Sequence, residues 1–428
     1  MGMTEYVSRS VDALLDGYVA EMPAVMVVGP RACGKTTTAL RLAQSVVRLD
    51  TDQAAAFRAS PDAALRGRPE PVLLDEWQMV PEVLSAVKRA VDTERRPGRF
   101  LVTGSHRTDP SDRFWPGTGR VVMVHMQPLT VAEQIGEPSN CFVDRLAAGQ
   151  APGRVSDPGL DLRHYVGMAL RGGFPEPALQ LGEHAARAWL EGYADQIVLR
   201  EARLHGKSPD AVRLQRYLHS CALSSGTATH HKKLYDTAGV NRKTAVSYDT
   251  LLHDLLVIDL LPAWSTNRLK RLSRTPKRYI VDSGLLAGIL RVGTDDVMAS
   301  SALLGSIIDT FVVAQLRAEA TTSYTRYRLS HLREQDGRRE IDVIAELGGG
   351  RIIGIEIKSA ASVLPRDARH LKWLSQTMGD RFIAGTVLHT GPDTYQLADR
   401  IYAAPISSLW DQPAPIRHEG VAGVPSTR

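Results

Sequence analysis

The chain has 428 residues, of which 52 are Lys or Arg and 47 are Asp or Glu, so its formal net charge is +5. This length allows two or three domains with sizeable cores. The cysteines Cys33, Cys141 and Cys221 are widely spaced, which excludes a disulfide framework and a CxxC zinc site and favours a reducing compartment. No run approaches the roughly 20 apolar residues of a membrane-spanning helix, and the N-terminus has no apolar core of signal length. We therefore expect a cytoplasmic protein.

From about residue 24 to 130, strand-like apolar runs alternate with helical stretches, which predicts an α/β fold with a parallel sheet. The runs are AVMVVG, SVVRLD, PVLLDE, RFLVTGS and VVMVHM. A stretch rich in Gly and Pro at 137–159 predicts a linker or loop. Residues 200–278 contain 15 Lys or Arg against 6 Asp or Glu, which indicates a polyanionic partner for the middle of the chain.

The first apolar run leads into GPRACGKT, which matches the phosphate-binding pattern G-x-x-x-x-G-K-[ST]. Backbone amides of such a loop surround phosphate, so the sequence predicts binding of ATP with Mg²⁺. Lys35 is expected to reach the β- and γ-phosphates, and the Thr36 hydroxyl is expected to ligate Mg²⁺. The predicted nucleotide contacts are Gly29, Pro30, Arg31, Ala32, Cys33, Gly34, Lys35, Thr36, Thr37 and Ser105.

Two further strand ends supply groups that ATP hydrolysis needs. PVLLDEWQ predicts Asp75 as a Mg²⁺-binding carboxylate and Glu76 as the base that activates water. RFLVTGS places Thr103 and Ser105 where polar groups sense the γ-phosphate. Charge on that phosphate normally also needs an arginine. The candidates are Arg107, Arg113 and Arg120, and no sequence rule chooses among them.

The basic middle segment predicts helix, turn, helix and strand from HKKLYDTAGVNRKTAVSYDTLLHDLLVIDLLPAW. Gly239 provides the tight turn, and Asn241 is a predicted N-cap of the second helix. The expected core side chains are Leu234, Ala238, Val246 and Leu251. The expected exposed side chains are Arg242, Lys243, Ser247 and Tyr248.

The following stretch, NRLKRLSRTPKRYIV, predicts a two-stranded wing tipped by Arg271, Arg274 and Lys277. A recognition helix with a cationic wing is the arrangement by which winged-helix modules contact DNA. The alternative is a winged-helix module that packs against the rest of the protein. Aromatic residues are sparse, so contact with the duplex backbone is favoured over single-strand binding.

Residues 340–359, EIDVIAELGGGRIIGIEIKS, predict a hairpin that turns at Gly349. Asp342 then pairs opposite Glu356, and Glu340 opposite Lys358. These four charged residues share one face, and the other face holds Ile341, Val343, Ile353, Ile355 and Ile357. One interpretation is a solvated face with a Glu340–Lys358 pair. The other is a site in which a cation relieves the repulsion between Asp342 and Glu356.

The acid–ExK arrangement of this hairpin resembles the restriction-endonuclease-like PD-(D/E)XK fold. The resemblance implies that Asp342 and Glu356 hold Mg²⁺ and that Lys358 assists the attacking water. It also implies a further acid from an upstream helix, and GSIIDTFVVAQL supplies Asp309. Relatives more often carry Glu at that position.

The motifs GPRACGKTTTA, LLDEWQMVPEVL, FLVTGS, GGFPEPAL, GSIIDTFVVAQL and EIDVIAE…IEIKS together resemble a bacterial family of AAA-type P-loop ATPases. The resemblance covers roughly residues 20–375. That family joins its ATPase core to a C-terminal domain of unknown function with a nuclease-like fold. This chain differs in having Asp309 for Glu and Arg200–Glu201 where Arg-Asp is typical.

The predicted domains are an AAA-type ATPase domain at 1–150, a helical and winged-helix module at 160–300, a restriction-endonuclease-like α/β domain at 301–412 and a disordered tail at 413–428. One functional hypothesis is an ATP-regulated, Mg²⁺-dependent nuclease that binds DNA through Arg242, Lys243, Arg271, Arg274 and Lys277. The alternative is a catalytically silent C-terminal domain within an ATP-driven switch that binds nucleic acid or a protein partner.

Overall fold

The computed structural model describes residues 6–105, 119–137, 141–153, 159–204, 211–267, 269, 271, 274–334 and 337–411. The arginine candidates Arg107 and Arg113 lie outside the described residues, as does the predicted tail at 413–428.

The N-terminal region forms a parallel five-stranded sheet in the order β2-β3-β4-β1-β5, which confirms the predicted parallel α/β fold. Each predicted run forms one strand: β1 Ala24–Val28, β2 Ser45–Arg48, β3 Val72–Asp75, β4 Phe100–Gly104 and β5 Val121–His125. All residues of β1, β3 and β4 are buried, as expected for the inner strands of a sheet covered on both faces.

Helices cover both faces of this sheet, and the alternation of strand side chains separates two cores. Val25 and Val27 pack in one core with Leu15 of helix α1 (Asp12–Glu21) and Ala39 of helix α2 (Lys35–Leu40). Ala24 and Met26 pack in the other core with residues of helices α3 (Ala54–Ala59) and α5 (Val83–Thr93). The helices are α1 Asp12–Glu21, α2 Lys35–Leu40, α3 Ala54–Ala59, α4 Pro61–Leu65, α5 Val83–Thr93 and α6 Val131–Gln134.

The predicted linker at 137–159 contains a helix, α7 Phe142–Ala147, so that part of the prediction is wrong. Its apolar residues Phe142, Val143 and Leu146 are buried in the same core as the helices that follow. A short apolar face at helical spacing was sufficient to bury this segment, although Gly and Pro flank it on both sides.

The middle of the chain is helical, and its apolar face belongs to one large core. Its elements are α8 Leu162–Arg171, α9 Pro175–Leu179, α10 Glu183–Leu204, α11 Ala211–Leu223, α12 His231–Ala238, α13 Arg242–Asp254, β6 Ile258–Leu261, β7 Lys277–Ile280, α14 Ser283–Leu290 and α15 Thr294–Ala299. Strands β6 and β7 are antiparallel, and Thr227 forms a bridge with Arg278 of β7.

The predicted turn between α12 and α13 is confirmed. Gly239 has φ +65°, and the Asn241 side chain accepts a hydrogen bond from the Thr244 amide at 2.9 Å. The predicted faces of α13 need two corrections, because Val246 is 49% exposed and Tyr248 is 4% exposed. The helix is rotated so that Ala245, Tyr248 and Leu252, spaced by three and four residues, face the core.

The C-terminal region begins with α16 Ser301–Thr322 and continues as a mixed six-stranded sheet in the order β12-β13-β11-β10-β9-β8. Strands β10, β11 and β13 are parallel, whereas β8, β9 and β12 pair antiparallel with their neighbours. The remaining elements are β8 Arg328–Glu334, β9 Arg339–Glu346, β10 Ile352–Ile357, α17 Arg369–Met378, β11 Phe382–His389, β12 Tyr395–Ala398 and β13 Ile401–Pro405.

Helix α16 is 22 residues long and apolar enough to cross a membrane by length and composition alone. The expectation that no run approaches this length is therefore wrong for α16. Half of that apolar stretch is buried inside the protein, where α16 contacts α7, α8, α14 and β10. The core helix of a soluble protein has the same length and composition.

The hairpin of β9 and β10 has the predicted register, since Ile355 pairs with Val343 and Ile353 with Ala345. One facial assignment is wrong. Ile341 packs with Ile344 in the core under α17, whereas Val343 packs in the large core on the other face. The register of β8 and β9 shifts between Ser330 and Leu332, and an irregularity of this kind interrupts the alternation of side chains.

Candidate functional site

The loop Gly29–Thr36 joins the carboxyl end of β1 to α2 at one edge of the parallel sheet. Ala32 has φ +58° and Gly34 has φ +100°, so two left-handed residues turn the backbone within this loop. Consecutive amides in such turns form a concave surface that suits an anion. Lys35 is 5% exposed, and its ammonium donates to Pro30 O at 2.7 Å, so the lysine already folds back over the loop.

Asp75, at the carboxyl end of β3, is joined to two hydroxyl groups from neighbouring elements. Thr36 Oγ1 donates to Asp75 Oδ1 at 2.8 Å, and Thr103 Oγ1 of β4 donates to the same oxygen. Strand order explains the meeting, because β3 and β4 are adjacent and β1 lies on the other side of β4. A hydroxyl and a carboxylate oxygen are ligand types that Mg²⁺ prefers, so these residues fit the ion.

Glu76 follows Asp75 in the left-handed conformation, with φ +58° and ψ +50°. Its side chain is partly exposed and accepts hydrogen bonds from Gln78 Nε2 and, at 3.4 Å, from Ser105 Oγ. Backbone strain at a non-glycine residue is common at functional sites. Gln78 belongs to the motif LLDEWQ, but the sequence predicts no role for it. The structure thus brings Ser105 to the predicted base.

Two residues without any motif signal also hold the loop. The Arg9 guanidinium is buried and donates to Cys33 O at 2.9 Å and to Gln127 O at 2.8 Å. Its Nε lies 3.2 Å from Glu133 Oε1. From the helical middle, Tyr193 OH of α10 donates to Arg31 O at 3.1 Å. No sequence motif identifies Arg9 or Tyr193, because each binds backbone carbonyl groups that are distant in the chain. The remaining predicted contact, Thr37, is exposed on α2.

Arg120, the described candidate for an arginine finger, lies at the wrong edge of the sheet. It precedes β5, whose first residue Val121 pairs with Ala24 at the amino end of β1. A five-residue strand spans roughly 15 Å, so Arg120 is about that far from the phosphate loop. Its Nε lies 2.7 Å from Asp92 Oδ1. Arg120 is therefore excluded as a finger acting within its own chain in this arrangement.

A second cluster of charged residues forms where the C-terminal sheet meets the helical middle. The structure brings together Asp342 of β9, Glu356 at the end of β10 and the adjacent Lys358, which the hairpin predicted to share a face, with Asp309 of α16, which only the family resemblance implied. Glu356 is 4% exposed and the Asp342 side chain is 14% exposed, so this carboxylate pair is buried, whereas Glu340 and Lys358 at its margin are partly exposed to solvent. Lys358 Nζ lies 3.5 Å from Glu356 Oε2. Glu356 Oε1 is buried without a hydrogen-bond partner.

Lys277 of β7 also belongs to this cluster, so its predicted place at the tip of a wing is wrong. It is 1% exposed, and its Nζ lies 3.0 Å from both Asp342 Oδ1 and Glu340 Oε1. The other Asp342 oxygen accepts the Ile357 amide at 3.0 Å. The cation between the carboxylates is thus a lysine that lies 65 residues before Asp342 in the chain.

The pKa directions agree with this arrangement. Burial acts to raise the pKa of Asp342, but the ammonium groups of Lys277 and Lys358 outweigh it and lower that pKa. Burial, with the nearby Asp342 charge, raises the pKa of Asp309 well above its ordinary value. The same two causes raise the pKa of Glu356 to about 7. The negative charge is therefore concentrated at Asp342, beside the lysine.

These contacts do not fit a magnesium ion at the C-terminal cluster. Both oxygens of Asp342 already accept hydrogen bonds, one of them from an ammonium group that would repel a second cation. Among the described residues, no group of three or more His, Cys, Asp or Glu side chains is arranged to hold a metal ion. The predicted ligands Asp309, Asp342 and Glu356 meet, but a lysine is already among them.

The other two wing residues are also engaged with the C-terminal sheet, which corrects the prediction that they are free for DNA. Arg271 forms a two-bonded ion pair with Glu346, at 2.6 and 2.9 Å. Arg274 lies 3.6 Å from Glu334 and donates to Arg333 O at 3.1 Å. Arg242 and Lys243, in the first turn of α13, are exposed as predicted.

Comparison with known families agrees with the N-terminal geometry. Residues 21–135 match the family described as an AAA domain. This match supports a P-loop ATPase. Residues 162–296 and 304–409 match two families described as domains of unknown function, DUF8612 and DUF4143.

Two similar proteins are the uncharacterized proteins Mb2031c of Mycobacterium bovis and Rv2008c of Mycobacterium tuberculosis. Each is 28% identical over 411 residues, which is 94% of this chain and 84% of the relative. Among solved structures, the Walker-type ATPase paby2304 of Pyrococcus abyssi aligns with a TM-score of 0.43 and 13% identity, over 67% of this chain and 96% of that chain.

Proposed function

We propose that this chain binds ATP with Mg²⁺ at the loop Gly29–Thr36 and hydrolyses the nucleotide in the cytoplasm. The observation that carries the proposal is the convergence of the Thr36 and Thr103 hydroxyls on buried Asp75 beside that loop. Ligands of open α/β sheets bind at the carboxyl ends of the strands, where all three residues lie. The AAA domain match over residues 21–135 gives independent support.

The roles follow from the groups that each residue presents. Lys35 supplies positive charge for the β- and γ-phosphates, and the loop amides surround them. Thr36 and Asp75 hold Mg²⁺, which when bound neutralises phosphate charge. Glu76 accepts the proton of the attacking water, and Gln78 and Ser105 fix the orientation of its carboxylate.

Two variants separate binding from hydrolysis. Lys35→Ala should weaken ATP binding and abolish turnover, because the phosphates lose their main counter-charge. Glu76→Gln should keep ATP bound and slow hydrolysis by about 100-fold or more, because it removes the base and spares the metal ligand. Equilibrium binding of a fluorescent ATP analogue and phosphate release measure the two effects.

Arg120→Ala is the matched control, because Arg120 lies at the opposite edge of the sheet. Turnover should stay at the parental level. Hydrolysis at the parental rate by Glu76→Gln would show that the base has been assigned to the wrong residue.

For the output of the ATPase, we propose a switch that binds DNA through the first turn of α13, with a catalytically silent C-terminal domain. The order of elements supports a winged-helix module within residues 160–300. This order is α11, the Thr227 bridge, α12, α13, β6 and β7. Exposed Arg242 and Lys243 support α13 as the DNA-contacting helix. Lys277 among the carboxylates favours the silent domain over a Mg²⁺-dependent nuclease.

A further inference from the structure

The cluster around Asp342 is a joint between two parts of the chain. Lys277 comes from β7 of the helical middle, whereas Asp342 and Glu340 come from β9 of the C-terminal sheet. The ammonium group is almost completely buried and lies 3.0 Å from a carboxylate oxygen on each acid. A buried ammonium group requires partners of this kind, since an unpaired charge is strongly destabilising in a protein interior.

Each carboxylate oxygen of Asp342 accepts a hydrogen bond from another part of the protein. Oδ1 accepts from Lys277 and Oδ2 accepts from the Ile357 amide. A divalent cation on either oxygen would lie within a few ångströms of the Lys277 ammonium group, and like charges at that distance repel. Lysine and metal ion therefore compete for the same carboxylate.

We propose that the Lys277 ammonium group is the resident cation of this cluster and takes the place that a divalent metal ion holds in a nuclease-like fold. While β7 is docked, the cluster binds no Mg²⁺, and the lysine connects the helical middle to the C-terminal sheet. This role of Lys277 deepens the proposed silent C-terminal domain, and no residue of the phosphate loop contributes to it, so it can fail or hold separately from the proposed ATPase activity.

The experiment uses the full chain with Lys35→Ala and Thr36→Ala, which remove the main phosphate-binding charge and one of the two proposed metal ligands at the nucleotide site. Thermal unfolding is measured with and without Mn²⁺, and Mn²⁺ binding is followed by electron paramagnetic resonance. This parent should show neither a Mn²⁺-dependent shift in Tm nor a site that Asp342→Asn abolishes.

Adding Lys277→Ala should lower Tm and create an Asp342-dependent Mn²⁺ site that the double variant lacks. Mn²⁺ should then raise Tm again, and a further Asp342→Asn change should abolish this rescue. Lys277→Arg keeps a cation in place and should remain insensitive to Mn²⁺.

Lys358→Ala is the matched control, because it removes a lysine of the same cluster whose closest acidic partner is Glu356. It should not create a site that depends on Asp342. An Asp342-dependent Mn²⁺ site in the parent would overturn the proposal, and this measurement holds even if Lys277→Ala fails to fold. A folded Lys277→Ala protein without Mn²⁺ rescue would overturn it as well.

Discussion

At the scale of single residues, burial decides the charge of Glu319 on α16. Its Oε2 accepts the Phe142 amide at 3.2 Å and lies 3.7 Å from Cys141 Sγ, so the side chain holds the start of α7. Burial raises the pKa of Glu319 from 4.5 to about 8. The neutral acid is therefore the favoured form in the folded protein at neutral pH.

This shift predicts a loss of stability as pH rises. Between pH 4.5 and about 8, the folded chain binds a proton at Glu319 that the unfolded chain has released. The stabilisation is fully present below pH 4.5 and is lost as pH rises through 8. The free energy of unfolding should fall by roughly a few kcal/mol over this range. Urea unfolding of the unmodified chain and of Glu319→Gln at a series of pH values measures how the free energy of unfolding of each protein depends on pH.

Glu319→Gln keeps an oxygen for the Phe142 amide and cannot ionise, so its stability should depend less on pH. Glu183→Gln, in the exposed first turn of α10, controls for the removal of a carboxylate. Parallel pH profiles for the parent and Glu319→Gln would show that Glu319 does not titrate in this window.

At the scale of elements, the two basic clusters of the middle segment have different surroundings. Arg242 and Lys243 lie in the exposed first turn of α13. Arg271 and Arg274 lie between β6 and β7, where Glu346 and Glu334 engage them. Of these two pairs, Arg242 and Lys243 can contact a phosphate backbone as they stand. Arg271 and Arg274 would first have to break their ion pairs.

DNA binding should therefore depend on α13. Replacing Arg242 and Lys243 with alanine should weaken binding and reduce the slope of log K against log salt by about 0.9 for each phosphate that is no longer neutralised. Fluorescence anisotropy with a labelled duplex at several salt concentrations gives this slope.

The double variant Arg271→Ala, Arg274→Ala is the matched control. It removes the same amount of charge, but from the segment between β6 and β7 that packs against the C-terminal sheet. This pair should leave the slope unchanged and lower the stability of the fold. A slope that falls for the docked pair and not for α13 would mean that the segment leaves the sheet to bind DNA.

At the scale of the whole molecule, the segment between β6 and β7 extends the C-terminal sheet. Ala263 forms a parallel bridge with His331 of β8, and Trp264 N donates to His331 O at 2.6 Å. The Trp264 side chain is buried in the core under α17. The same segment ends at Lys277, so the docked edge and the lysine in the carboxylate cluster belong to one connection.

With this connection in place, the protein should not cleave DNA in the presence of Mg²⁺. Mixed single- and double-stranded DNA is incubated with the unmodified chain, with and without ATP, and the products are separated by gel electrophoresis. No cleavage that depends on Asp342 or Lys358 is expected, because Lys277 holds the carboxylate that a metal ion needs.

Lys358→Ala and Asp342→Asn are measured in parallel to identify contaminating nucleases. Cleavage by the parent that is absent from both variants would establish the nuclease hypothesis and reject the silent domain. Cleavage seen only with ATP would show that nucleotide binding withdraws Lys277.

Features that depend on neighbours along the chain were predictable from the sequence. The phosphate loop, the strand ends at Asp75 and Thr103, the Gly239 turn and the Asn241 cap all follow from short motifs. Apolar runs ended by polar residues also predicted each strand of the parallel sheet. The hairpin register was readable because a shift by one residue would mix charged and aliphatic side chains on both faces.

Contacts between distant segments could be known only from the folded chain. In the sequence, Lys277 does not differ from the neighbouring basic residues. Only the antiparallel pairing of β6 with β7 places it in the carboxylate cluster. Arg9 and Tyr193 bind backbone carbonyls, which have no sequence signature. Whether a charge faces water or a buried partner depends on which surfaces pack together, and a linear pattern does not contain that information.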